Sequence, residues 1–495
     1  MKKTFRILSA VLTLILLFSM TLIFSSCGGG DGENTSGAGG TVSTDDALPQ
    51  LEVKNLGGKE LLILWPQMHT DGHYVHNEIS VEGTAADVID RAVMERNSIV
   101  EAVYNVKIKS DNSNKISEVA KAVDKEYEAG ESSYAALACS INNSNMLSLR
   151  QKGALTDFNT LKYYDESQPW WNHSLMQDFA VANARYFASG DIIYSDDFYP
   201  YCTFVNNTVS VNNQITDNYH ELVKNKQWTL EKFHTLAAQV QADDVDGDPN
   251  TWSDQDMNGA VVNENFAKAG YYAAGKGILD FDAMGYPVWQ MTVERTQSIL
   301  EKLISIIHKD KACFNTGILD DHAIQELKLF TGGKSLFLVE ELIFAERITK
   351  ADVQTDFTLL PYPLYEEGGE YISVLNDSLV IAIPVMCEDK DSISLVLSAM
   401  SRESVNTLTP AFFETVLTYR YMQNTESVET LNIILESTVA PDIATIANWG
   451  GFREQFKLLA FSNSTNFSSY FASNIGKAMG ELEAYCVLLD NYYKK

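Results

Sequence analysis

With 495 residues, 45% of them hydrophobic and 21% charged, and only 11 prolines, the chain is an ordinary globular one, long enough for two or more cores. Its 37 basic residues against 66 acidic ones give a net charge of −29. Such a surface repels nucleic acid and anionic membrane, which argues against a phosphate-backbone partner.

The first residues read as a targeting segment. Lys2, Lys3 and Arg6 precede an apolar stretch, 7–24, that closes on Phe24-Ser25-Ser26-Cys27, the layout of a basic region, an apolar region and a small-residue cleavage site. A membrane-spanning helix fits less well, because the run is short and small residues follow at once. The four residues ending at Cys27 resemble the bacterial lipoprotein signal, which implies removal of 1–26 and lipidation of Cys27; Phe24 departs from the leucine usual there. Residues 27–55 then serve as a tether, flexible because 28–46 are rich in Gly, Ser and Thr. The location this implies is the extracellular face of the cell membrane. The remaining cysteines, Cys139, Cys202, Cys313, Cys387 and Cys486, are odd in number, widely spaced and without a C-x-x-C pair, so most read as small buried hydrophobes.

From Lys59, ELLILWP is an apolar strand ending at Trp65-Pro66. Residues 85–104 carry a helical pattern (Val88, Ile89, Ala92, Val93, Ile99, Val100, Val103), NVKIKS is a short strand and 116–129 a second helix. YAALACS, 134–140, is a strand of buried type, followed by a helix around 146–152. Strands alternating with helices at this spacing predict a parallel wound sheet, whose ligands bind beyond the carboxyl ends of its strands. That puts Trp65 and Asn142 at a cleft edge. Further on, QPWWN (168–172) leads into a helix, Ser189-Gly190-Asp191 is expected to turn a hairpin, 201–206 is a strand, and Thr229 caps a helix with Glu231 in its first turn.

The stretch 329–384 organises the rest. An apolar run (LFTGGKSLFLV), a helix (EELIFAERITKAD), a strand ending in Pro-Tyr-Pro and a buried run (SLVIAIP) make a βαβ unit followed by a crossing between sheets. Pro361 and Pro363 fix φ and hold Leu360 and Tyr362 extended, which suits a hinge.

Taken in order, the lipidation site at Cys27, LLILW, PWW followed by SGD, FVNN, QWTLEKF, DDVDGDPNTWSDQDMNG, GGKSLF, FTLLPYP, SLVIAIP and FFETVLTYRYMQNTESVETLNIILES resemble the carbohydrate-type extracellular solute-binding lipoproteins of bacterial ABC importers. The resemblance spans nearly the whole mature chain, and its specificity lies in the order of the pieces. It implies an α/β, two-lobed periplasmic-binding-protein-like fold of type II, each lobe a wound sheet flanked by helices, with a ligand cleft between lobes that close. The crossings would fall near 196–203 and 361–363, giving one lobe of 56–200 plus 362–408 and another of 201–361 plus 409–495. It further implies a monomer without catalytic activity, an oligosaccharide or other small solute as ligand, and a membrane permease as partner.

A sugar site needs flat aromatic platforms ringed by carboxylates and amides. Trp65, Trp170, Trp171 and Trp449 are candidates, all placed in loops, with Asn142, Asp196, Asp197 and Tyr199 as polar partners. The competing reading makes each tryptophan a partly buried lobe residue, and the adjacent Trp170 and Trp171 are not expected to point the same way. Asp244, Asp246 and Asp248 have the spacing of a calcium loop, with Asp254 near its end, but Pro249 replaces the expected glycine and Gln255 the bidentate acid. A structural calcium and a solvated acidic loop both stay open there, the second favoured by those departures. His69, Asp71, His73 and His76 are dense enough for zinc or nickel, yet no cysteine or second histidine cluster supports them against a plain polar loop. TGGKS makes no working phosphate loop, since Lys328 stands where the first glycine belongs, and no G-x-S-x-G, H-E-x-x-H or G-x-G-x-x-G occurs. No other cofactor is expected. The alternatives are a peptide or metal receptor and a surface-anchored polysaccharide hydrolase, whose carboxylate pair sequence alone does not reveal.

Overall fold

The computed structural model describes residues 48–67, 77–142, 144–180, 183–242, 256–275, 277–318, 321–418 and 425–493. The chain divides into a leading unit, Met1–Glu52, whose described residues 48–52 carry no regular structure, and a folded unit, Val53–Lys495. The strands in chain order are β1 (Lys59–Leu64), β2 (Val106–Asp111), β3 (Ala136–Ser140), β4 (Tyr201–Asn206), β5 (Asn258–Val262), the small hairpin β6 (Leu279–Phe281) and β7 (Pro287–Trp289), β8 (Cys313–Asn315), β9 (Ser335–Glu341), β10 (Phe357–Pro361), β11 (Ser373–Val374), β12 (Leu379–Ala382) and β13 (Thr438–Val439).

In the first body β1 lies between β2 and β3, parallel to both. The helices that return the chain start and stop where the sequence supplies caps. Asp87 accepts from the Asp90 N–H at the head of α1 (Val88–Tyr104), and Asn105 leaves it at φ 48°. α2 (Ile116–Ala129) stops at Gly130, φ 73°, whose N–H reaches back to the Glu126 and Tyr127 carbonyls. Ile89, Val93 and Val100 on α1 and Val119, Ala120 and Val123 on α2 are buried, as a 3.6-residue period requires. Ile99 and Val103 fall off that stripe and stay exposed. α3 (Ser144–Gln151) follows β3, and α4 (His173–Asp178) follows the two adjacent tryptophans. The sheet order is β12-β3-β1-β2, with β12 antiparallel to β3 and Ala188 bridged to Ile381 on the far side of β12.

The second body repeats this plan without a sequence repeat. Its order is β10-β4-β9-β5-β8: β5 lies between β8 and β9 and parallel to both, and β4 runs antiparallel to β9 and β10. α5 (Asn265–Ala273), α6 (Val293–His308) and α7 (His322–Thr331) belong to it. In each sheet the antiparallel strand is the one on which the chain arrives from the other body: β4 after Ala188, β12 after β10.

Among the described residues, two segments carry the chain across. Pro200 forms an antiparallel bridge with Leu375, and the Asn376 N–H donates to the Tyr199 carbonyl at 3.0 Å. The first crossing thus runs beside Leu375 and Asn376. The second does not lie at Pro361–Pro363. Pro361 ends β10 and accepts from Trp228 Nε1 at 2.9 Å, Tyr362 donates to the Phe266 carbonyl at 3.0 Å, and the Leu364 N–H donates to Trp228 at 2.9 Å. The prolines make a rigid corner inside the second body, and the passage comes later, around Leu375 and Asn376.

After β12, α8 (Lys390–Ser404) and α9 (Leu408–Thr418) both pack on α1. Phe412 of α9 stacks on Tyr194 with ring centroids 5.6 Å apart and meets Phe198 edge-on at 4.7 Å. The chain therefore stays with the first body beyond residue 409, later than expected. α10 (Thr425–Glu436) lies on β10, α11 (Phe452–Phe461) on α5 and α6, and α12 (Phe467–Tyr493) closes the fold.

Ser189-Gly190-Asp191 turns no hairpin. It runs antiparallel to the tryptophan pair, with Trp171 bridged to Gly190, the Asp191 N–H on the Trp170 carbonyl at 2.9 Å and the Asn172 N–H on Ser189 at 2.9 Å. Gly190 has φ 145°, and a Cβ there would stand 2.2 Å from the Trp170 carbonyl oxygen. Gly190→Ala is expected to destabilise the fold by roughly 2–4 kcal/mol. Gly476, in the interior of α12 with open space around a Cβ, is the opposite case, and Gly476→Ala is expected to add about 0.5–1 kcal/mol. Urea unfolding of the two variants checks both signs.

Candidate functional site

The carboxyl ends of β3 and β9 and the head of α5 converge on one crossing residue, Asn376. Its Oδ1 accepts from Lys268 Nζ at 2.5 Å, its Nδ2 donates to Glu341 Oε1 at 2.5 Å, and its carbonyl accepts from Asn142 Nδ2. Next to it, Asp377 Oδ1 accepts from Ser140 Oγ at 2.6 Å. Asn142 and Ser140 come from the first body, Lys268 and Glu341 from the second. Lys268 is buried, and burial lowers its pKa to about 7, helped by the nearby Lys457 and Arg453 and opposed by Glu341 and Asp377.

A second polar group sits deeper, at the carboxyl edge of the second sheet. Glu326 on α7 and Glu340 on β9 are both buried. Asn263 Nδ2 donates to Glu326 Oε1 at 3.1 Å and to Glu340 Oε1, and Thr316 Oγ1 donates to Glu326 Oε1. Burial raises both carboxyls above the ordinary range, and for Glu340 the charges of Glu326 and Glu341 raise it further. Two carboxyls this close together and out of water disfavour the doubly ionised state. Because the folded-state values lie above the unfolded ones, the stability they contribute is whole in acid and is lost as pH rises through the folded values. Glu340→Gln, which keeps the shape without the ionisation, is expected to flatten the fall in melting temperature between about pH 5 and about pH 8. Differential scanning calorimetry at both pH values measures it.

The residues singled out in the sequence fall into separate groups. Asn142 and Tyr199 meet at Asn376. Trp170, Trp171 and Asp196 are knitted together, since Asp196 Oδ2 accepts from Asn172 Nδ2 at 2.6 Å and from Ser189 Oγ at 3.1 Å. Asp197 is half-buried beside them. Trp65, Trp170, Trp171 and Trp449 are 0%, 1%, 4% and 5% exposed, so none offers an open face in this arrangement. Trp171 packs on Tyr164 and Trp449 on Tyr485. The indole N–H groups of Trp65, Trp170 and Trp171 are buried without an acceptor. Cys27, the acids Asp244, Asp246, Asp248 and Asp254, and the loop with His69, Asp71, His73 and His76 lie outside the described residues. Among the described residues no group of three or more His, Cys, Asp or Glu is placed to hold a metal, and no helix is long and apolar enough to cross a membrane.

Lys268, Glu341 and Asn376 were not singled out by sequence. Two signals were readable: Glu340-Glu341, a pair of acids closing a largely apolar strand, and Asn376-Asp377 just ahead of a buried run. Beside the crossing, a cavity of about 170 Å³ is lined by Asp178 from the first body and by Tyr272, Ile372 and Asp442. Burial raises the Asp178 carboxyl to about 6, with the Asp442 charge adding to it. A larger groove of about 450 Å³ lies between the helix Tyr219–Lys224 and α10.

No protein-family model matches the chain, and no curated protein matches it in sequence. Solved structures match its fold over most of its length. An ABC substrate-binding protein of Listeria monocytogenes in complex with cycloalternan is 14% identical with TM-score 0.52, covering 86% of this chain and 99% of its own. UgpB from Mycobacterium tuberculosis, in complex with glycerophosphocholine, is 13% identical with TM-score 0.54, covering 88% and 100%. The maltose-binding periplasmic protein MalE of Listeria monocytogenes, in complex with maltose, is 13% identical with TM-score 0.53, covering 88% and 98%. With two α/β sheets of one plan joined by paired crossings, the chain has the two-lobed periplasmic-binding-protein-like fold of the substrate-binding proteins of ABC transporters.

Proposed function

We propose that this protein is the substrate-binding component of an ABC transporter and captures an oligosaccharide between its two bodies for delivery to a membrane permease. The observation that carries this is the convergence of both bodies on Asn376, at the passage about which they would turn, in a fold whose solved neighbours hold cycloalternan, maltose or glycerophosphocholine in their own complexes. The function is binding without covalent chemistry. The cavity beside the crossing is smaller than the ~300–1,000 Å³ of ordinary ligand pockets, so admission of an oligosaccharide requires the bodies to part, and differential contact with both then favours closure. Asn142, Asp197 and Tyr199, with the tryptophan faces that parting would uncover, are the proposed contacts. The lipid on Cys27 and the tether behind it are proposed to hold the monomeric domain outside the membrane, and calcium at Asp244, Asp246, Asp248 and Asp254 is a proposal tested by adding and chelating the ion.

Thermal unfolding of the mature domain against a panel of oligosaccharides, glycerophosphocholine, short peptides and divalent cations tests the reading. A ligand that binds the native state alone stabilises it by about 2.7 kcal/mol at one hundred times its dissociation constant. The expected outcome is a concentration-dependent rise with one class of sugar. A rise with peptides or zinc alone would replace the oligosaccharide with another solute. With the ligand in hand, Asn142→Ala is expected to weaken binding roughly tenfold, the worth of one polar contact, as read by titration calorimetry.

A further inference from the structure

We infer that α12 is an interlobe strap, latched by Tyr485, that sets the balance between closed and parted arrangements of the two bodies before any solute arrives. The first half of α12 is fixed to the second body. Phe467, Tyr470 and Phe471 pack around Phe452, with ring centroids 6.0, 5.5 and 5.5 Å away, and Tyr470 donates to the Gly450 carbonyl at 2.8 Å. One turn after Glu481, which accepts from the Gly450 N–H at 2.7 Å, the helix presents Tyr485. That ring is 1% exposed and meets Trp449 edge-on at 5.4 Å.

On the other side of Tyr485 stands the first body. The Arg150 guanidinium, at the end of α3, lies 4.5 Å from the Tyr485 ring centroid and 5.2 Å from that of Tyr186. Arg150 is 6% exposed, and its Nε and Nη2 have no hydrogen-bond acceptor. A buried guanidinium short of acceptors is held by the two ring faces, and Tyr485 is the one supplied from across the seam. This side-chain contact is separate from the chain's own passages between the bodies and must be broken if the bodies rotate apart, because α12 stays with the second body while Arg150 and Tyr186 move with the first. The inference does not depend on which solute binds.

The test uses the ligand-free mature chain, so its failure is separate from failure of the transport reading. Small-angle scattering gives the separation of the bodies, and hydrogen exchange reports the Asn376 N–H at the crossing. Tyr485→Ala and Arg150→Met are each expected to increase the radius of gyration and to speed exchange at Asn376 about tenfold. Tyr485→Phe, which keeps the ring, is expected to match the parent, and the double variant to add nothing beyond either single one. If Tyr485→Ala fails to fold, Arg150→Met decides. An unchanged radius in Arg150→Met, or faster exchange confined to α12, would overturn the latch.

Discussion

Two of the segments along which the chain passes between its bodies lie side by side, and the bridge from Pro200 to Leu375 ties one to the other. Everything else is arranged around that passage, because each sheet is completed by the strand that has just come through it. β4 cannot enter the second sheet until the first body has been threaded through Ala188, and β12 cannot close the first sheet until the second sheet has received β10. Neither core is finished by a contiguous run of sequence. Such long-range pairing delays folding, since the entropy of closing the loops comes before the contacts that reward it. It also leaves a narrow joint between two rigid sheets, about which bodies can turn without disturbing either core.

A joint of this kind has to bury polar backbone and side chains where they meet. Asn376 meets that demand by using both sides of its amide and its carbonyl at once, binding Lys268, Glu341 and Asn142. A buried lysine or carboxylate without such partners would cost several kcal/mol, so these contacts are a condition of the joint rather than an addition to it. The buried Glu326–Glu340 pair meets the same problem with hydrogen bonds from Asn263 and Thr316 and with carboxyls whose affinity for a proton is raised, at the cost of stability in alkali. In the periphery the solution is aromatic: Tyr485 gives Arg150 a ring face where its Nε and Nη2 find no acceptor.

Periodicity, caps and buried runs placed the strands and helices well. Thr229 caps the helix it was expected to open, YAALACS is a buried central strand, and QWTLEKF begins a helix. The site was legible only in part. Asn142 and Tyr199 lie at the passage, but the tryptophans, read as open platforms, are covered in this arrangement. A strand end tells which residue reaches a sheet edge, and says nothing of what another part of the chain lays over it.

What the sequence by itself determined was therefore local: where elements begin and end, which faces are apolar, and that alternating strands and helices make wound sheets. These follow from interactions within a few residues, which the period and the caps record directly. Only the tertiary structure decided that Pro361 and Pro363 make a corner inside one body while Asn376 makes the joint. It alone decided that Arg150 and Tyr485, more than three hundred residues apart, meet across the seam. Those choices depend on pairing between distant segments, and a side chain's periodicity gives its face but not its partner.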